Sequence, residues 1–167
     1  MANPPEPPAR EGLAFRGKHW RLWVGLDGVV RCIIEGDHDK ASVETVLDAF
    51  AEIGDKVPER PVRVLVYAHR ALRLAPEARE RLIEACRAHV NLRVALVRSS
   101  PLALIQARGI ARHSGRDFSY HESEPEALAA LGVASVPAQP KAPPAPPLMK
   151  SATGSGWPDM GQVDFVS

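Results

Sequence analysis

The sequence has little of what marks metal-binding, nucleic-acid-binding and secreted proteins. Its two cysteines, Cys32 and Cys86, lie in separate apolar patterns, and neither belongs to a CxxC or Cys/His cluster with metal-ligand spacing. We expect both to be buried free thiols in a reducing compartment. The formal net charge is only +1, so no overall positive field favours a nucleic acid or an anionic membrane as a partner.

Long apolar runs are absent as well. No stretch approaches the roughly 18 apolar residues that span a membrane. The amino-terminal segment MANPPEPPAR contains four prolines and lacks the apolar run that a signal peptide needs. The sequence therefore predicts a cytoplasmic protein.

Recognisable catalytic motifs are also missing. No Gly-rich phosphate-binding loop of the GxGxxG or GxxxxGKS/T type occurs. We expect no catalytic residue, no bound metal and no cofactor, and an enzyme with an unrecognised site is an alternative. The histidines are dispersed at the ends of predicted elements, outside any nucleophile-elbow or HExxH context: His19, His38, His69, His89, His113 and His121.

The distribution of proline predicts the domain boundaries. Of the 16 prolines, four precede Arg10 and seven follow Ala134. Each proline ring fixes φ and removes a hydrogen-bond donor, so proline-rich stretches favour extended spacers over a core. We predict a disordered segment at 1–12, an α/β domain at 13–135, a proline-rich linker at 136–150 and a flexible tail at 151–167.

The domain is predicted to open with a β-hairpin. Asp27-Gly28 joins two apolar-rich runs in HWRLWVGLDGVVRCIIEG, and Asp-Gly supplies the positive φ that a tight hairpin turn requires. A period of two places the apolar residues of the two strands on one face: Trp20, Leu22 and Val24, and Val30, Cys32 and Ile34.

Helical and extended patterns then alternate. Asp39 or Ser42 is the expected cap of the first helix and Gly54 its expected end. Strands are predicted at 62–66, 92–97 and 116–121, each followed by a helix, which gives the order β-β-α-β-α-β-α-β-α. The first helix should bury Val43, Val46, Leu47, Phe50 and Ile53, and the second Ala78, Leu82, Cys86 and Val90.

This order resembles the STAS domain, the fold of anti-sigma-factor antagonists, and is closer to the divergent STAS-like proteins of bacteria. The resembling stretches are the hairpin around Leu26-Asp27-Gly28, the strand leading to LAPEARERL, the strand-turn ALVRSSP and the closing FSYHESEPEALAAL, which together cover about residues 13–132. The resemblance implies a small α/β domain with a mixed, mostly parallel sheet and helices packed mainly on one face. It also implies a non-enzymatic signalling adaptor.

One departure from the classical antagonists bears on function. They carry an Asp-Ser-Ser-Gly or Asp-Ser-Thr-Gly turn after the third strand, whose hydroxyl accepts phosphate from a partner kinase. Here that turn is expected to be Tyr67-Ala68-His69-Arg70-Ala71, which has no hydroxyl beyond Tyr67. The resemblance then implies docking of a protein partner, a regulator or a kinase-like protein, without that switch. A homodimer is a further option.

The predicted partner-binding residues lie at the ends of strands, where ligands of open α/β sheets bind. They are His69, Arg70, Arg73, Leu74, Ser99 and Ser100. Ser99 and Ser100 precede a helix, and capping of that helix by either serine is favoured over binding of an anion. A small-ligand or nucleotide site at His69, Ser99 and Ser100 is the alternative to protein docking. Asp37-His38-Asp39 is interpreted as a solvated turn with a capping Asp rather than a metal site.

The tail contains a second candidate binding element. Disordered tails rarely retain large apolar residues, yet GWPDMGQVDFVS contains Trp157, Met160, Val163 and Phe165. This apolar peptide is long enough to dock in a groove. Docking on a partner is one possibility, and a tail that packs back on its own domain or has no binding role is the other.

Overall fold

The structure, a computed structural model, describes residues 9–133. The linker predicted at 136–150 and the tail predicted at 151–167 lie outside these residues. The described chain contains six strands: β1 (Ala9–Arg16), β2 (Trp20–Gly25), β3 (Val30–His38), β4 (Val62–Leu74), β5 (Leu92–Val97) and β6 (Phe118–His121). It contains four helices: α1 (Lys40–Lys56), α2 (Pro76–Ala88), α3 (Pro101–Ser114) and α4 (Glu124–Ala130).

The strands form one mixed sheet in sequential order, β1-β2-β3-β4-β5-β6. The pairs β1–β2 and β2–β3 are antiparallel, and the pairs β3–β4, β4–β5 and β5–β6 are parallel. Helices α1, α2 and α3 cover one face, where Leu22, Cys32 and Ile53 are core residues, and α4 covers the other. The predicted mixed α/β fold, with helices mainly on one face, is confirmed.

The hairpin forms as predicted around Asp27-Gly28. Gly28 has φ +82°, and the Asp27 carboxylate accepts a hydrogen bond from the Val29 amide at 3.0 Å. Leu22 lies opposite Cys32 in the β2–β3 register, so the predicted apolar face is the face that the core uses. Burial raises the pKa of Cys32 to about 12, as expected for a buried free thiol.

Strand β1 corrects the predicted amino-terminal boundary. Residues 9–12, predicted to be disordered, belong to a strand that pairs with β2, and Leu13 is buried against the core. The apolar alternation of β1 is broken at Gly12, which has φ +74° where the register shifts between Ala9 and Ala14. This irregularity hides the strand from a period-two pattern.

Strand β4 corrects the predicted turn at 67–71. The strand continues to Leu74 because its pairing with β3 resumes after an irregularity, with Glu35 opposite Arg70 and His38 opposite Leu74. The next helix, α2, begins at Pro76 with Ala75 as N-cap and no side-chain cap. The N-terminus of α2 therefore has no capping hydroxyl. It lies several residues beyond the predicted turn.

Two details of the helices also differ from prediction. Helix α1 is capped by Asp39 as expected, but it runs past Gly54 to Lys56. On α2, Ala78 is buried as predicted, but Ile83 takes the place of the predicted Val90, which is 70% exposed beyond the helix end. Leu82 and Cys86 are only half-buried. Among residues 9–133, no helix is long and apolar enough to cross a membrane.

Candidate partner-binding surface

The carboxyl ends of β4, β5 and β6 meet along one line of the sheet. Tyr67 pairs with Val97, and Val97 pairs with His121. His69 and Ser99 each lie two residues beyond this line. The register thus brings together two of the predicted site residues, His69 and Ser99, with His121, which the sequence did not single out as a site residue.

Three buried polar atoms at these strand ends have no hydrogen-bond partner among the described residues. They are His69 Nε2, Ser99 Oγ and His121 Nε2. Burial lowers the pKa of His69, and the positive charges of Arg70 and Arg98 lower it further, against the effect of Glu35. Buried polar atoms normally find a partner in protein or ordered water, so these atoms mark a place that a water or a small polar ligand would complete.

Ser100 caps helix α3, the interpretation that the sequence favoured. Its hydroxyl accepts a hydrogen bond from the Ala103 amide at 3.1 Å and donates to the Ala71 carbonyl at 3.2 Å. Its own amide donates to the Ala68 carbonyl at 3.3 Å. Ser100 therefore provides a hydrogen-bond acceptor for a backbone amide at the start of α3 and links this helix to the carboxyl-terminal part of β4.

The other predicted residues of β4 lie apart from this cap. Arg70 forms an ion pair with Glu35 at 3.7 Å. Arg73 has an exposed side chain, and its amide donates to the Asp37 carboxylate at 3.0 Å. Leu74 is half-buried. The structure therefore divides the predicted site into a His69–Ser99–Ser100 group and an Arg73–Leu74 group.

Asp37-His38-Asp39 has a structural role. His38 is 6% exposed, not solvated as expected, and its ring nitrogens contact Ser42 Oγ at 2.7 Å and the Glu35 carbonyl at 3.0 Å. Asp39 caps α1 by accepting from the Ser42 amide at 2.8 Å. Within residues 9–133, no group of three or more His, Cys, Asp or Glu side chains is placed to hold a metal ion.

The outer side of α3 presents apolar side chains that the sequence analysis did not single out. Leu102 is 41% exposed and Ile105 is 67% exposed. Arg108, one turn further, lies 5.3 Å from the centre of the Tyr120 ring on β6. Arg98, exposed just before α3, hydrogen-bonds the Glu122 carbonyl. We call Arg98, Leu102, Ile105 and Arg108 the α3 surface. The sequence could have indicated it, because Leu102 and Ile105 are three residues apart and lie off the buried face of the helix.

A large apolar cavity lies on the inner side of the helices. It occupies about 1040 Å³ between the sheet and helices α1, α2 and α3. Helix α2 packs mainly on α1 and α3 rather than on the sheet, which leaves this space beneath it. The lining includes Phe50, Val66, Leu82, Cys86, Val94 and Ile110.

On the other face, α4 is fixed to the sheet by a buried charge network. Arg31, 4% exposed, hydrogen-bonds both carboxylate oxygens of Asp27 at 2.9 and 3.0 Å and reaches Glu124 at 3.3 Å. Glu124 also accepts from the Tyr67 hydroxyl at 2.6 Å. Ser123 caps α4 by accepting a hydrogen bond from the Glu126 amide at 3.4 Å. The network joins the hairpin, β4 and α4.

The geometry can be compared with known proteins. No family model matches the sequence, and no curated protein matches it. In structure, the chain is similar to an uncharacterized protein of the DUF3478 family from Shewanella loihica PV-4, with a TM-score of 0.53 over 72% of this chain and 99% of that chain. That protein has a SpoIIAA-like fold.

This fold is SpoIIAA-like. It is the STAS-like fold that the sequence predicts. The two chains share 13% sequence identity, so the likeness establishes the fold and leaves function to be argued from the site.

Proposed function

We propose that this protein is a non-catalytic regulatory domain that binds a protein partner on the α3 surface. The observation that carries the proposal is the exposed pair Leu102 and Ile105 between Arg98 and Arg108. Interfaces typically combine an apolar centre with a polar rim, and arginine is enriched in them. The predicted residues Ser99 and Ser100 lie at the start of this surface.

The chemistry of the surface specifies the kind of partner. Two apolar side chains one helical turn apart would fill an apolar pocket, and Arg98 and Arg108 would meet carboxylates around it. We therefore infer a partner with an acidic surface around an apolar centre, in keeping with the regulator or kinase-like partner that the resemblance implies. Docking on this surface needs no phosphorylated hydroxyl.

Photo-crosslinking of the full chain tests the proposal. A benzophenone amino acid placed at Ile105 should capture a single protein from native lysate, and Arg98→Glu with Arg108→Glu should abolish the adduct. The matched control is the same probe at Leu26, an equally exposed position in the hairpin turn. Equal adducts from the two positions, or an adduct that survives charge reversal, would count against the α3 surface.

A small polar ligand at the strand ends is the second candidate function. The unpartnered polar atoms of His69, Ser99 and His121 favour it. A ligand at 100 times its dissociation constant stabilises the folded state by about 2.7 kcal/mol. A thermal-shift screen over phosphate, nucleotides and small carboxylic acids should therefore detect such a ligand, and no shift across the panel would reject it.

A further inference from the structure

The cavity beneath α2 is an incompletely packed part of the core. Val66 and Val94 belong to the central strands β4 and β5 and lie under the helix layer, yet both are only partly buried. Leu82 and Cys86 of α2 face the same space and are also half-buried. Protein interiors are close-packed, so an apolar occupant would bury side chains that the described residues leave exposed.

We infer that the apolar peptide of this chain's own tail, residues 157–165, occupies this cavity. The inference is independent of the proposed partner, because it concerns the inner side of the helices rather than the α3 surface. Cavities of about 300–1,000 Å³ are typical of binding pockets, and this one, at about 1040 Å³, has room for several large side chains. Trp157, Met160, Val163 and Phe165 supply them.

The point at which the described chain ends favours this occupant. Arg63, at the start of β4, donates to the Leu131 carbonyl at 3.0 Å, which places the end of α4 at the amino-terminal edge of the parallel strands. The cavity is lined at that edge by Arg60, Val62 and Asn91. The tail therefore leaves the domain at the edge where the cavity begins, although on the opposite face of the sheet.

The connecting segment is long enough to pass around this edge. Residues 134–156 form a segment of 23 residues. Its proline-rich part, residues 137–147, would span about 34 Å as an extended spacer at about 3.1 Å per residue, whereas packed layers are about 10 Å apart. The tether makes the contact intramolecular, so a contact that is weak between separate molecules can be occupied.

The charges that line the cavity are mixed. Arg60 donates to the carbonyls of Gly54, Val57 and Glu59, and within residues 9–133 it has no carboxylate partner, so it could receive Asp159 or Asp164 of the peptide. The lining also includes the carboxylates Asp48, Asp55 and Glu84. The apolar side chains of the peptide, and not its charge, therefore carry the inference.

Intramolecular crosslinking of the full chain tests the occupant. A benzophenone amino acid at Trp157 should link, within one molecule, to the segments that line the cavity, 43–54 or 82–94. The same probe at Met149, in the linker, should give no such link. Links between molecules, links to the α3 surface or no link from position 157 would each overturn the inference. A small apolar compound found in the cavity by native mass spectrometry would also overturn it.

Alkylation of Cys86 gives a second readout that does not depend on the probe. Both cysteines line the cavity, but Cys86 is half-buried, whereas Cys32 is fully buried with its pKa raised to about 12 and should stay unmodified. Trp157→Ser with Phe165→Ser should make alkylation of Cys86 several-fold faster than in the wild type. Leu148→Ser with Met149→Ser, an equal loss of apolar residues in the linker, should leave the rate unchanged. Equal rates in all three proteins would reject occupancy by the tail.

Discussion

At the scale of residues, the buried Arg31 fixes α4 to its face of the sheet. Arg31 is almost fully buried and serves two carboxylates, Asp27 at the hairpin turn and Glu124 at the start of α4. Burial opposes ionisation of Asp27, but hydrogen bonds from Arg31 and Val29 outweigh it and lower the pKa of Asp27. A buried charge is tolerated here because several hydrogen bonds satisfy it.

Truncating this arginine should be costly. Arg31→Ala removes hydrogen bonds between charged groups and leaves Asp27 and Glu124 side by side without a cation. Both carboxylates keep some contact with solvent, so we expect the free energy of unfolding to fall by about 2–3 kcal/mol. Urea denaturation measures the change. Lys40→Ala, at an exposed position, is the control, and a loss below about 0.5 kcal/mol from Arg31→Ala would contradict the role of the network.

His38 should make the fold sensitive to acid. Burial lowers its pKa, and the nearby charge of His19, whose ring centre is 6.3 Å away, lowers it further against the effect of the hydrogen bond that the His38 ring donates to the Glu35 carbonyl. Below a pH of about 6.5 the unfolded chain binds a proton that folded His38 does not. The free energy of unfolding therefore decreases as the pH falls, by at most about 1.4 kcal/mol per pH unit for this proton.

The variant His38→Gln isolates this contribution. Urea denaturation between pH 4 and pH 7 should give a shallower pH dependence than in the wild type, because the acid sensitivity from Asp27 and other groups remains in both proteins. His89→Gln, at an exposed position, serves as the control. If the free energy of unfolding of His38→Gln depends on pH as strongly as that of the wild type, His38 does not contribute to the acid sensitivity.

At the scale of elements, the sequence pattern is least informative in the part of β4 that packs against α3. A turn was expected from Tyr67 to Ala71 because the classical antagonists have a turn after the corresponding strand. The strand continues because β3 still pairs with it and because the small side chains of Ala68, Ala71 and Ala103 allow α3 to approach. Long-range pairing of this kind leaves no local periodicity in the sequence.

Variants of the adjacent Ser99 and Ser100 distinguish a hydroxyl that caps α3 from one that only lies near it. Ser100→Ala should lower the free energy of unfolding by about 1 kcal/mol, because it removes the cap of α3 and the bond to the Ala71 carbonyl. Ser99→Ala removes a hydroxyl that has no partner among the described residues, so it should change stability by less than about 0.5 kcal/mol. Thermal and urea unfolding measure both. A larger loss from Ser99→Ala would contradict the assigned cap.

The elements with strong local signals were predictable. The Asp-Gly hairpin, the Asp39 and Ser123 caps, and the left-handed Gly115 at the end of α3 all follow from local backbone chemistry. Strand β1 was missed because a bulge at Gly12 breaks its pattern. The buried side of α2 was only partly predicted, because Leu82 and Cys86 face a cavity rather than a filled core.

At the scale of the molecule, the sequence predicted the fold better than the site. The order of strands and helices was enough to indicate a STAS-like domain, since βαβ connections limit the possible topologies. The register places the predicted residues His69 and Ser99 just beyond neighbouring strand ends, and their role in binding stays a prediction. The α3 surface and the cavity could not be predicted, because both depend on how the helices sit on the sheet.

The two surfaces of the helix layer suggest a division of roles. The outer side of α3 is proposed to bind a partner, and the inner side is proposed to bind the tail. Because α3 contributes to both, release of the tail would change the packing of the helix that the partner contacts. A partner that binds more tightly to Trp157→Ser with Phe165→Ser than to the wild type, in a titration of both proteins, would show this coupling. Equal affinities would show that the two surfaces act independently.

The most direct test of the central claim is the affinity of the crosslinked partner for the α3 surface, measured by isothermal titration calorimetry with full-length protein. Leu102→Ser with Ile105→Ser should weaken binding at least about tenfold, or 1.4 kcal/mol, because the apolar centre of the interface is lost. Leu26→Ser, at a comparably exposed position in the hairpin turn, should bind like the wild type. Wild-type affinity in Leu102→Ser with Ile105→Ser would contradict the account.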